Sequence, residues 1–164
     1  MRVSTMLSVL ALLLTFSFSS YAMDTKCMVV GPAASDLSRI AREAADAQKR
    51  ADEIEAYLRN SSADWRGVAD QMAYLGEHVR NLQKLFADFE QREPKLTEAQ
   101  SQQLEKLKTG LATLTVFVNN TYQLIAEQHL MPHRDALMMN AQMMSIRAGI
   151  IRDAARSLRV VTSA

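Results

Sequence analysis

The sequence predicts an all-α protein: an antiparallel up-down-up-down four-helix bundle with a heptad-patterned core, preceded by a signal peptide. Three observations lead there. Apolar residues recur at alternating spacings of three and four in four separate stretches, Gly and Pro number only five and three, and the links between stretches are short. Alternating three-and-four spacing keeps an apolar stripe on one side of a helix. Sustained over three or more heptads, it makes the seam of a left-handed bundle.

Residues 1–22 carry one cation, Arg2, an apolar run from Met6 to Phe18, and the small-residue exit Ser19-Ser20-Tyr21-Ala22. These are the marks of a secretory signal cleaved after Ala22, and the run is shorter than the roughly 20 residues of a membrane-spanning helix. The expected location is therefore outside the cytoplasm, periplasmic or secreted, with no transmembrane segment after cleavage. Losing Arg2 leaves 18 basic residues against 18 acidic ones. That neutrality argues against nucleic acid as a partner, because its phosphates demand a strong basic excess. Residues 23–34 read as a flexible tail holding Cys27. One cysteine allows no internal disulfide, and three readings stay open for it: a free thiol, an intermolecular disulfide, or a lipid attachment site.

The bundle is expected over 35–161, with helices at about 36–59, 63–92, 98–130 and 134–160. The first stripe is Leu37, Ile40, Ala44, Ala47, Ala51, Ile54 and Leu58. The second is Trp65, Val68, Met72, Leu75, Val79, Leu82, Phe86 and Phe89. Leu104, Leu107, Leu111, Leu114, Val118, Thr121 and Ile125 form the third, and Leu137, Ala141, Met144, Ala148, Ile151, Ala155 and Leu158 the fourth. Ser35, Ser62 and Thr97 stand where N-caps are needed, with Asp36, Asp64 and Glu98 in first turns, where the helix dipole favours acids. Short links at Asn60-Ser61, Arg92 to Leu96 and Met131 to His133 force antiparallel neighbours. Ala dominates the seams of the first and fourth helices, so these two are expected to approach closely, with bulkier side chains from the other pair filling the middle.

Templates for chemistry are mostly absent. Glu77-His78 and Glu127-Gln128-His129 lack the Glu-x-x-His spacing of a di-metal bundle, and no haem-attachment, zinc, phosphate-loop or nucleophile motif occurs. A non-enzymatic protein without a cofactor is the expectation. His78, beside Val79, reads as a rim histidine, with axial haem ligation opposite a Met such as Met72 as the sharper alternative. Asn60-Ser61-Ser62 and Asn119-Asn120-Thr121 match the glycosylation triplet. The cations of the last helix are expected to pair with Glu43, Asp46 and Glu53 of the first.

One region departs from the ordinary pattern. From Thr109 to Ala126 there is no charge, and from Ala136 to Ile151 there is only Arg147, among Met138, Met139, Met143 and Met144. A free-standing bundle normally keeps charges on its outer faces. Phe117, Leu124, Met138, Met139 and Met143 are therefore the candidate interaction face, for an unknown protein partner or for self-association. A copper reading adds Met131, Met144, His129 and His133 to these methionines as candidate Cu(I) ligands.

Leu96-Thr97-Glu98-Ala99-Gln100 resembles the Leu-Thr-x-x-Gln motif of the Spy/CpxP-type helical chaperones and stress sensors of the bacterial periplasm. The resemblance covers five residues of 164, and the chain carries once a motif that the family carries twice. It implies a holdase-like alternative and transfers no functional residue.

Overall fold

The computed structural model describes residues 32–92, 95–127 and 130–160. The proposed signal peptide, Cys27 and His129 lie outside the described residues. Four helices make up almost all of the rest: α1 (Pro32–Arg59), α2 (Trp65–Glu90), α3 (Glu98–Ala126) and α4 (Leu130–Val160). There is no strand among the described residues.

Cross-helix contacts fix the arrangement. Along α1 and α2, Tyr57 meets Gly67 while Glu43 meets His78. Along α2 and α3, Met72 meets Tyr122, Gln83 meets Thr115 and Glu90 meets Lys108. Between α3 and α4, Thr121 meets Asn140 and Gly110 meets Ile151. Between α1 and α4, Leu58 meets Arg134, Glu55 meets Gln142, and Ser38 meets Arg159. In each pair one number rises as the other falls, so every neighbour is antiparallel. The four pairs close a ring, α1–α2–α3–α4. Helices of 26 to 31 residues make it about 39–47 Å long at ~1.5 Å per residue.

All the stripe positions are buried except Trp65 and Leu104, which lie near helix starts and are partly exposed. Ala44, Ala47 and Ala51 of α1 and Ala141, Ala148 and Ala155 of α4 are fully buried. These two helices share the most extensive packing, as small seam residues require, while α2 and α3 approach each other least closely. The wider α2–α3 gap is crossed by Tyr122, whose hydroxyl donates to the Met72 carbonyl at 2.8 Å. Gly76 leaves room for that hydroxyl: a Cβ there would lie 2.4 Å from the Tyr122 oxygen, so a larger residue would displace the tyrosine.

Three helix starts differ from the sequence expectation. α1 begins at Pro32 and takes Ser35 into its first turns; a proline at N1 has a preset φ and lacks only an N–H that would be unpaired there anyway. α2 is capped by Asp64, which accepts from the Gly67 N–H at 2.8 Å, and not by Ser62. Ser62 is instead held by Asn60 Oδ1, which accepts from both its N–H and its hydroxyl. α4 starts at Leu130 and runs through Met131-Pro132-His133, because the first-turn N–H groups have no intrahelical partner to lose. Thr97 caps α3 as expected, in a reciprocal capping box with Gln100.

Candidate functional site

Two flanks of the ring stand out, and they differ in chemistry. On the α3–α4 flank, Gly110 brings the helices together: a Cβ there would lie 3.0 Å from Ile151 Cγ1 and 3.8 Å from the Arg147 carbonyl. Phe117 and Leu124 follow Gly110 at seven-residue steps, and Met143 and Met139 precede Arg147 at four-residue steps. All four therefore lie along this flank. Phe117 and Leu124 are half-buried against the core, Met143 is half-buried, and Met139 is 58% exposed. Val116 and Ile146, at 54% and 53%, extend the uncovered apolar surface outward.

Met138 separates from this group. It lies four residues from both Arg134 and Gln142, which bond to α1, so it belongs to the α1–α4 flank. The candidate face thus retains Phe117, Leu124, Met139 and Met143 and gains Val116 and Ile146. The described methionines of the copper reading diverge as well: Met144 is fully buried in the core, Met138 faces the α1 flank, and Met139 and Met143 face the α3 flank. His133 is paired with Glu127 at 2.5 Å.

A cleft of about 470 Å³ opens on the α3–α4 flank, lined by Glu105, Lys106, Thr109, Gly110, Arg147 and Ile150. Arg147 is the one charge in the 136–151 stretch, and its buried Nε has no hydrogen-bond partner. A buried guanidinium N–H without a partner costs about 1–3 kcal/mol. Behind the face sits a buried polar contact, Asn140 Nδ2 donating to Thr121 Oγ1 at 3.2 Å. Thr121 is fully buried and donates in turn to the Phe117 carbonyl.

The α1–α2 flank is polar. Arg50 lies over the Tyr74 ring, 5.6 Å from its centre. Glu43 Oε1 is 2.8 Å from His78 Nδ1 and accepts from Asn81 Nδ2 at 3.0 Å. Asp46, one turn along α1, joins them, and the ligand-type atoms of Glu43, Asp46 and His78 all lie within 4.8 Å of one another. His78 is therefore a rim histidine, as its place beside Val79 suggests, whereas Met72 is fully buried in the core, so the two do not face a common ligand. The expected pairing of α1 acids with α4 arginines is corrected: Glu43 serves α2, and Glu53 pairs with Arg50 and Lys49 of its own helix. Of the α4 cations, Arg152 bonds Gln48 and Asp153, and Arg134 donates to the carbonyls of Leu58 and Asn60 at the end of α1. The reason is rotation about the α1 axis: Gln48 and Glu55 point to α4, while Glu43, Asp46 and Arg50 point to α2.

The Glu43–Asp46–His78 cluster had a sequence signal that spacing along one helix hides. Folding the chain about the Asn60 turn sets residues whose numbers sum to about 124 side by side, which pairs Asp46 with His78 and Glu43 with Asn81. None of the four helices is long and apolar enough to cross a membrane among the described residues. No protein-family model matches the chain, and no curated protein or solved structure matches it either.

Proposed function

We propose that this chain is an exported, non-enzymatic helical-bundle protein that acts as a binding module through the outer face of α3 and α4. Its partner is an apolar helical segment of another protein bearing an acidic group. The observation that carries the reading is the row of exposed Met139 and Ile146 with half-buried Met143 between them, beside a cleft that Arg147 lines. Spacings of four and three along α4 present the notches that another amphipathic helix fills. Thioether side chains adapt their shape to such a partner, and the Arg147 guanidinium lining the cleft is a charge-assisted donor for a carboxylate. Export rests on the residue pattern of 1–22, and the absence of a catalytic motif supports a binding rather than an enzymatic role.

Crosslinking the full chain in its native compartment, then repeating it with Met139→Lys and Ile146→Lys, tests the reading. Both positions are more than half exposed, so the fold tolerates them. The expected outcome is a captured protein partner lost at least tenfold in either variant. Equal capture by wild type and both variants removes this face from consideration, and a dimer by sedimentation that both variants dissolve reassigns it to self-association. The holdase alternative differs in requiring suppression of a client's aggregation without ATP.

A further inference from the structure

We propose that Glu43, Asp46 and His78 form a binding site for a divalent first-row transition metal, with Zn2+ the best match, clamping α1 to α2. The donor set mixes two carboxylates and one imidazole from two helices, and it is independent of the α3–α4 face. Three protein ligands with water in the remaining position is the usual make-up of an open zinc site. A hard cation such as Mg2+ or Ca2+ gains little from imidazole, whereas Zn2+ accepts nitrogen and oxygen donors equally.

The geometry is close to what such an ion needs. Ligand atoms at about 2.1 Å from a tetrahedral centre are ~3.4 Å apart. Here the three ligand atoms already lie within 4.8 Å of one another, with Glu43 Oε1 and His78 Nδ1 at 2.8 Å. Asp46 is exposed, so an ordinary rotamer change brings its carboxylate inward without disturbing the core. Asn81, donating to Glu43 Oε1, holds that carboxylate toward the site as an outer-shell partner does. An entry path exists, because Glu43 and Asn81 also line a polar cleft of about 320 Å³ between α1 and α2. Arg39, Arg42 and Lys84 line the same cleft and oppose a cation, so they weaken the site, while Asp88 on the same wall offsets part of that charge. When the ion binds through His78 Nδ1, it replaces the Glu43–His78 hydrogen bond, and the neutral ring keeps its proton on Nε2.

The test is Zn2+ titration of the full chain by calorimetry, with Co2+ absorption as a second readout of tetrahedral ligation. The site predicts one-to-one binding and a melting temperature raised by roughly 5–10 °C at a hundredfold excess over Kd. Glu43→Gln, His78→Gln and Asp46→Asn should each weaken binding by at least ~10-fold. His133→Gln, which removes the histidine paired with Glu127, should leave it unchanged. Asp46→Asn keeps the test decisive if the other variants disturb packing, since Asp46 is exposed. Absence of saturable binding, binding unaffected by Asp46→Asn, or binding lost only in His133→Gln would each overturn the site.

Discussion

The α1–α2 and α3–α4 hairpins share one inner design and opposite outer ones. Inside, both present a buried heptad stripe, from Leu75 and Val79 on α2 to Leu114 and Val118 on α3. Outside, the first hairpin joins its helices through Glu43, His78, Asn81 and the Arg50–Tyr74 contact. The second offers Val116, Met139 and Ile146 to solvent, with a cross-helix hydrogen bond buried at Asn140. The comparison teaches that the stripe makes the bundle and the flanks make the differences. Charged flanks keep a bundle solvated, so the charge-poor stretches of the second hairpin, 109–126 and 136–151, are where a covering partner fits best.

If the inner stripes are equivalent, Leu75→Ala and Leu114→Ala should cost about the same, roughly 2–5 kcal/mol each in urea unfolding. Both side chains are fully buried. A large inequality between them would mean that one hairpin, and not the ring, carries the fold. The next effect separates the hairpins. Asn140→Ala strips the buried partner from Thr121 and should destabilise by about 1–2 kcal/mol, read from thermal melts. Glu43→Ala, on the half-exposed polar flank, should cost at most ~1 kcal/mol in the absence of metal. Reversal of that order would show that the polar flank, not the buried pair, sets the register.

Smaller still are the changes expected from the apolar face. Met139→Lys and Ile146→Lys should alter the unfolding midpoint by no more than ~0.5 kcal/mol while abolishing partner capture, the signature of a surface kept for binding. The acid limb of the stability curve supplies the last effect. A hydrogen bond from Gln142, joined by the Arg59 guanidinium, holds the Glu55 carboxyl below its ordinary value against the opposing effect of burial. A depressed carboxylate contributes stability that is present above its unfolded pKa and lost as pH falls through the folded one. Glu55→Gln should therefore flatten the acid-unfolding curve below the ordinary carboxylate range and lower stability slightly at neutral pH. An unchanged acid limb would show that the Gln142 contact is not made in solution.

Much of the bundle is legible in the residues alone. Nearly every stripe position is buried, and the Ala content of α1 and α4 foretells their extensive packing, because a heptad period admits one inward face and side-chain size limits how near two axes come. Thr97 and Gln100 show how a local pattern can carry two meanings. The letters that resemble a chaperone motif form the capping box of α3, satisfying N–H groups that any helix start must satisfy. Boundaries were less legible, since Pro132 reads as a break but is harmless in a first turn.

What the sequence by itself determined is the helix count, the inward stripes and the stretch poor in charge, all of which depend on periods local to one helix. What only the tertiary structure decided is which flank each polar or apolar side chain shares with which neighbour. Met138 parts from Met139 because one residue is a 100° turn, and that turn carries it from the α3 side to the α1 side. Glu43, Asp46 and His78 meet for the complementary reason. An antiparallel turn brings together residues 35 positions apart, and no spacing within one helix announces a contact made by two.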